Sequence, residues 1–423
     1  MKQKLILIGS GMVGSRFIER LLHEAPEKYD IRVFNKEPTG GYNRIMLSPV
    51  LSGEKSLPEI MTHDHDWFEE RNVHLQASTE IIAVDQHAKT VTTDLGAVYA
   101  YDTLVIATGS KPFIIPIPGA DLPGVVTFRD TRDVKVMLEA SDSSAVSMQN
   151  KRQNAVVIGG GLLGLEAANG LMIRGMDVTV VHRGDVLMNM QMDAVSGNLL
   201  QKSLEESGMK FAMSANTAEI MGEESVTAVK LADGEIIEAD LVVMAVGIRP
   251  NVMVGKKLGL AVNHGIIVND QLHTSADNIY ALGECVEHRG LLYGLVAPLY
   301  EQAQVLAETL AGKASAYQGS FISTKLKVTG ISLFSAGEFE DSADSESLVY
   351  QDLSKNIYRK IVLKNNKIQG AVMFGDVTGS HWIFDNLVAQ NDMSAYRDTL
   401  VFGEGFQPLT NKKEQKRTKE AVA

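Results

Sequence analysis

The stretch KLILIGSGMVGSRFIERLL, residues 4–22, decides the fold. Leu5–Ile8 is an unbroken apolar run, which suits a strand buried on both faces of a parallel sheet. Gly9, Gly11 and Gly14 follow as G-x-G-x-x-G, and an amphipathic helix pattern comes after them. Residues 154–172, NAVVIGGGLLGLEAANGLM, repeat the arrangement with Gly159, Gly161 and Gly164. A second strand pattern follows each copy, YDIRVFN at 29–35 and MDVTVVH at 176–182. Strand–turn–helix–strand units imply parallel sheets with right-handed crossovers. Two units about 150 residues apart imply two separate sheets.

The glycine spacing carries chemistry. The first glycine permits the tight turn and the second lets a pyrophosphate approach the backbone. The third allows close helix–strand packing, and the helix N-terminus faces the phosphates. One such motif alone is weak, and a glycine turn without nucleotide is its alternative. Two in strand–turn–helix context point to two dinucleotides, needed together when electrons pass from a nicotinamide to a flavin. Glu37 follows the second strand of the first unit and is the candidate for a ribose hydroxyl, although Asn35 stands closer to the strand end. The second unit has His182 and Arg183 where an acidic residue would mark NAD preference. A cationic pair accepts the 2′-phosphate of NADPH, although Asp185 lies close by; use of NADPH or of both nucleotides is expected.

The remaining chain fits around these units. YDTLVIATGSKPFIIPIPG (101–119) reads as a strand, a Thr-Gly turn and a proline-rich crossing between domains. ADLVVMAVGIRPN (239–251) is its counterpart, and NIYALGEC (278–285) is a third strand ending at a glycine. Residues 356–376 read as a hairpin turning at Asn365-Asn366, which with 323–339 makes an antiparallel sheet; 381–400 reads as one or two helices. The expected fold class is α/β: two Rossmann-like three-layer dinucleotide-binding domains plus a small C-terminal α+β domain. The expected boundaries are 1–118 with 249–318 for the first dinucleotide-binding domain, 119–248 for the second, 319–405 for the α+β interface domain, and 406–423 for a basic, disordered tail.

Composition agrees. At 423 residues and 45% apolar content the chain is globular, with two to four domains. A net charge of −12 disfavours nucleic acid as a partner. No apolar run reaches the ~18 residues of a membrane span, and the short apolar start reads as a strand rather than a signal peptide. The single cysteine rules out an internal disulfide and a four-cysteine metal or iron–sulfur site. It leans toward a reducing compartment, and a cytoplasmic location is expected. No metal site is expected: THDHDW (62–67) reads as a solvated helix start beside Trp67.

Beyond these readings, the chain resembles the two-dinucleotide-binding-domain flavoproteins, a family that includes rubredoxin and ferredoxin reductases and NADH oxidases. The residues that carry the resemblance are both glycine motifs, ATGSKP (107–112), AVGIRPN (245–251) and TSADNIYALGE (274–284). The resemblance implies FAD at the first motif and NAD(P)H at the second. It carries Thr108, Gly109, Gly247, Gly283 and Glu284 into the cofactor site, with Glu284 where the family has Asp. It also implies that Arg44 meets FAD phosphate, that Glu166 lies near the nicotinamide and the flavin ring as the catalytic candidate, and that the helix begun by LVAPLYEQA (295–303) points at the flavin pyrimidine. More closely, 42–56, 159–182, 281–303 and 323–339 resemble the flavin module of the NAD(P)H-dependent nitrite reductase family and the flavoprotein subunits of assimilatory nitrate reductases.

Related disulfide reductases need two cysteines beside the flavin, and no cysteine precedes Cys285. A related oxidase branch uses one cysteine in the region matching 42–52, where YNRIMLSPVLS has none. Cys285 is therefore read as a packed structural residue. Electrons arriving from NAD(P)H must leave the chain. The expected acceptor is an iron–sulfur or sirohaem redox partner protein or subunit in nitrite or nitrate reduction. Rubredoxin or ferredoxin reductase, NADH oxidase and a redox-sensing interaction protein are the rival readings, and a homodimer is left open.

Overall fold

The strand Gln3–Ile8 is the centre of a five-stranded parallel sheet ordered Ile279–Ala281, Thr103–Ile106, Gln3–Ile8, Tyr29–Phe34, His74–Gln76. Leu5, Leu7, Leu104, Val105 and Ile106 are all fully buried, which is why these strands are continuously apolar instead of alternating. Helix Met12–Glu24 buries Phe17, Ile18 and Leu21 on one face, against the sheet core and beside helix Val296–Ala311. The computed structural model describes residues 2–142, 153–328 and 330–405. They belong to two compact units, one drawn from 1–115, 127–139 and 246–320, the other from 116–126, 140–245 and 321–423. The basic tail lies outside the described residues.

The second unit repeats the plan. Its sheet runs Val125–Thr127, Leu241–Met244, Asn154–Ile158, Asp177–Val181, Lys210–Ala212, and the last four strands pair in parallel. Helix Leu162–Ile173 follows the glycine turn as helix Met12–Glu24 does in the first unit. The same unit holds a five-stranded antiparallel sheet ordered Ser323–Val328, Ile331–Gly337, Lys367–Phe374, Ile357–Lys364, Glu346–Asp352. Asn365 and Asn366 turn its central hairpin at φ of 52° and 58°, the left-handed pair that a two-residue turn between twisted strands requires. Helix Ser380–Ala389 covers this sheet through Ile383 and Leu387, and two short 3₁₀ turns follow it, Ser394–Tyr396 and Leu400–Phe402. The mixed α/β class with a separate C-terminal antiparallel sheet is as expected from the sequence. Among the described residues no helix is long and apolar enough to cross a membrane.

Candidate functional site

The two glycine turns are geometrically alike. Gly9 has φ +106° and Gly159 φ +121°, left-handed values that an L side chain resists. Each donates its N–H to the end of the neighbouring strand, Gly9 to Phe34 at 2.8 Å and Gly159 to Val181 at 2.9 Å. A Cβ on Gly14 would lie 2.1 Å from the Gly9 carbonyl oxygen, and one on Gly164 would lie 1.9 Å from that of Gly159. The third glycine of each motif thus lets its helix rest directly on the turn. The middle glycines differ: a Cβ on Gly11 or Gly161 would meet nothing within 4 Å. Both are helix N-caps without a side-chain hydrogen bond, so no capping group takes the first amides of either helix. Beside the first turn, Ser10 Oγ is buried and has no hydrogen-bond partner among the described residues. An open backbone face at an uncapped helix N-terminus is what a pyrophosphate needs, and it occurs twice.

In the first unit the other expected residues gather into two polar clusters. Glu37 ion-pairs with Arg44 through one oxygen and accepts the Tyr42 hydroxyl at 2.8 Å through the other. Arg44 also donates to the Arg129 carbonyl at 3.0 Å, and its guanidinium lies 4.8 Å from the Tyr42 ring centre. Burial pushes the Tyr42 phenol well up, so it remains a donor. Asn35 is buried and donates to the Thr39 carbonyl at 2.6 Å, which leaves Glu37 as the carboxylate at this strand end. In the second cluster, Glu284 ion-pairs with Arg129 and accepts the Ser110 hydroxyl at 2.8 Å. Gly109, at φ +62°, has room for the Arg129 and Glu284 side chains about it.

Two further motifs lock together. Thr108 Oγ1 donates to the Asn251 carbonyl at 2.8 Å, the Asn251 amide to Gly109 at 2.8 Å, and the Phe113 amide to Gly247 at 2.9 Å. Strands Ser110–Pro112 and Ile248–Pro250 pair antiparallel between these contacts. Gly283, at φ +90°, donates its amide to the buried Gln302 side chain at 2.9 Å, which fixes the Gly283–Glu284 turn to helix Val296–Ala311. That helix too begins without a side-chain cap, at Leu295. Cys285 is fully buried, its thiol directed at the Leu282 carbonyl 3.2 Å away, and burial pushes its pKa up. A neutral, enclosed thiol suits packing and not redox exchange.

In the second unit, Glu166 is half-buried one turn into helix Leu162–Ile173. His182 braces the backbone: its Nδ1 accepts the Gly160 amide at 3.1 Å and its Nε2 donates to the Val186 carbonyl at 3.0 Å. An Nδ1 that accepts carries no proton, so in this arrangement the ring is not a cation. Arg183 is exposed, with no ion pair among the described residues, and it is the positive charge at this strand end. Asp64 caps helix His65–Glu69 through the Trp67 amide, so the helix start expected at THDHDW begins at Asp64, while Thr62 and His63 belong to strand Met61–His63 and the half-buried His63 ring packs edge-on against Trp67. His65, Asp66 and Glu69 come within 4.8 Å of one another there, but all three are exposed.

Sequence reasoning missed Arg129 and Gln302. Arg129 lies in TFRDTRD (127–133), an Arg-Asp pattern just after a strand; Gln302 is a polar residue within the apolar stripe of its helix. Neither pattern singles out its partner, because Glu284 is 155 residues from Arg129.

Two like glycine turns on two parallel sheets define a protein built to hold two dinucleotides. Residues 3–307 match the pyridine nucleotide-disulphide oxidoreductase family, and residues 323–390 match the rubredoxin NAD+ reductase C-terminal domain. The chain belongs to the pyridine nucleotide-disulphide oxidoreductase family, a class of oxidoreductases, and its cofactors are FAD and NAD(P)H. It is 49% identical to a nitrite reductase (NAD(P)H) of Bacillus subtilis across 97% of this chain and 49% of that protein. It is 41% identical to the assimilatory nitrate reductase electron transfer subunit of the same organism, across 96% of this chain and 52% of that one. The chain therefore spans about half the length of both relatives. Among solved structures, NADH:rubredoxin oxidoreductase from Clostridium acetobutylicum superposes with a TM-score of 0.76 at 27% identity, covering 93% of this chain and 97% of that one.

Proposed function

We propose that this chain passes electrons from NAD(P)H through FAD to a partner redox protein or subunit bearing an iron–sulfur cluster or sirohaem, in nitrite or nitrate reduction. The observation that carries it is the pair of open, uncapped glycine turns in a chain whose one cysteine is buried. Two dinucleotides can be held, and no thiol couple is available to take electrons onward. Similarity to a nitrite reductase and to a nitrate reductase electron transfer subunit supports the physiological setting.

In this reading Gly9, Gly11 and Gly14 receive the FAD pyrophosphate, Glu37 the ribose, and Thr108, Gly109, Gly247, Gly283 and Glu284 the rest of the cofactor. Arg44 orients Glu37 and adds positive charge toward the phosphates; Arg129 does the same for Glu284. Gly159, Gly161 and Gly164 receive NAD(P)H. His182 holds the turn and Arg183 meets the adenosine ribose or its 2′-phosphate. Glu166 faces the nicotinamide. When bound, FAD supplies a two-electron acceptor that can deliver electrons singly to a carrier. The protein contributes position, exclusion of water and fixed charge. A cytoplasmic location and a homodimer belong to the same proposal.

The test is stopped-flow reoxidation of the NADH-reduced protein, by ferricyanide under nitrogen and by oxygen. Fast reoxidation by ferricyanide and slow by oxygen is expected. Fast reoxidation by oxygen would replace this reading with an oxidase. A second reading, rubredoxin or ferredoxin reductase, is favoured by the C-terminal match at 323–390; purified rubredoxin as acceptor separates the two.

A further inference from the structure

Helix Ala194–Glu206 starts at Asp193, a buried carboxylate with 5% exposure. Its Oδ1 accepts the Ser196 amide at 2.9 Å and the Ser196 hydroxyl at 2.6 Å. Its Oδ2 accepts the Tyr358 hydroxyl at 2.6 Å. Tyr358 belongs to strand Ile357–Lys364 of the C-terminal antiparallel sheet and is 3% exposed. Asp193 has no Lys or Arg ion pair among the described residues, so a helix N-terminus and two hydroxyls meet its charge. Burial, with the Asp193 bond added to it, pushes the Tyr358 phenol up, so the hydroxyl donates throughout the physiological pH range.

Asp193 also ends the segment 183–193 that leaves strand Asp177–Val181. The near end of this segment is tied to the second glycine turn. His182 bonds both the Gly160 amide and the Val186 carbonyl, and the Met188 amide donates to the Gly160 carbonyl at 3.0 Å. Leu187, Met188 and Met192 are buried beneath it, while Arg183 and Asp185 are exposed. One end is thus held by the glycine turn and the other by a side chain 165 residues away in the C-terminal sheet.

We propose that Tyr358 is a positioning residue for the pyridine-nucleotide site: through Asp193 it fixes the far end of segment 183–193, so the C-terminal sheet helps set how tightly NAD(P)H is held. This rests on the reading of the 159–164 turn as the NAD(P)H site. Loss of one hydroxyl to a buried carboxylate frees the segment without touching the turn.

The test is anaerobic steady-state reduction of ferricyanide by the full-length, FAD-loaded protein, with NADH and NADPH varied separately and a thermal melt alongside. Tyr358→Phe should raise KM for the nucleotide about fivefold at unchanged kcat, the signature of lost binding shared by ground and transition states. Ile361→Val, in the same strand and fully buried, is the control for destabilisation alone and should leave KM unchanged. Equal KM values in Tyr358→Phe and Ile361→Val, or a fall in kcat with KM constant, overturns the proposal. If Tyr358→Phe does not fold, Asp193→Ser serves, because its one hydroxyl still caps the helix and leaves no second acceptor for Tyr358; the same two outcomes decide. Failure of the wild type to be reduced by either nucleotide would instead remove the functional reading, and this inference with it.

Discussion

At Arg183, chemistry and geometry give a sharp expectation. His182 spends both ring nitrogens on backbone groups, so Arg183 is the cation at the end of strand Asp177–Val181. A charge-assisted bond to a 2′-phosphate is worth roughly 1.5–3 kcal/mol. Arg183→Ala should therefore raise KM for NADPH about tenfold or more and leave KM for NADH within about twofold, measured with ferricyanide as acceptor. Equal effects on both nucleotides would mean that Arg183 does not read the 2′ position. Asp270 offers a different residue-scale test. It accepts from His288 at 2.9 Å and from Arg289 at 2.8 and 3.0 Å, and the Arg289 bonds, then the His288 bond, pull its pKa down to about 2 from an ordinary 3.8. A carboxylate depressed in the folded state stabilises it above the unfolded pKa and ceases to do so as pH falls through the folded value. The Tm gap between wild type and Asp270→Asn should be full at neutral pH and close between about pH 4 and pH 2, as melts across that range would read. A gap independent of pH would assign Asp270 a packing role instead.

The glycine turns show what an element can carry from sequence into geometry. Their order and context were legible because a strand, a tight turn and a helix leave a local signature, as did the Asn365-Asn366 hairpin. Their physical division of labour makes a prediction. Gly164→Ala puts a methyl 1.9 Å from the Gly159 carbonyl oxygen and 3.4 Å from the Ala245 Cβ, with no flexible side chain to yield. The expected cost is at least about 3 kcal/mol, seen as a large fall in Tm or failure to fold. Gly161→Ala sits at φ −83° with nothing within 4 Å, so the fold should lose under about 1 kcal/mol, the penalty for alanine at an N-cap. Yet that methyl occupies the open face over the helix N-terminus. KM for NAD(P)H should rise at least about tenfold while Tm barely moves. A Gly161→Ala variant with unaltered KM would remove the nucleotide from this turn. Less legible were the contacts that tie one element to another. Arg129–Glu284, Gln302–Gly283 and Tyr358–Asp193 join residues far apart in the chain, and a local pattern holds no record of a partner set by tertiary packing. His182 was visible as a residue at a strand end, but whether its ring is a cation or a clamp depends on where the Gly160 amide and the Val186 carbonyl point.

For the whole molecule the decisive fact is a count. One cysteine in 423 residues, buried and with its thiol pKa pushed up, leaves no second redox couple beside a bound flavin. A chain with a flavin and a disulfide takes up four electrons; this one should take two per FAD in an anaerobic reductive titration with dithionite. Uptake of four would reveal a second centre within the chain and end the argument for an external acceptor. The same count bears on nitrite. A four-cysteine cluster site cannot be assembled from one cysteine, so the FAD-loaded chain with NADH should reduce ferricyanide rapidly and nitrite not at all. Nitrite consumption should begin only when a cluster- or sirohaem-bearing partner is added, and should then depend on both components. Nitrite consumption by the chain alone would contradict an electron-transfer role and place the terminal chemistry at the flavin itself.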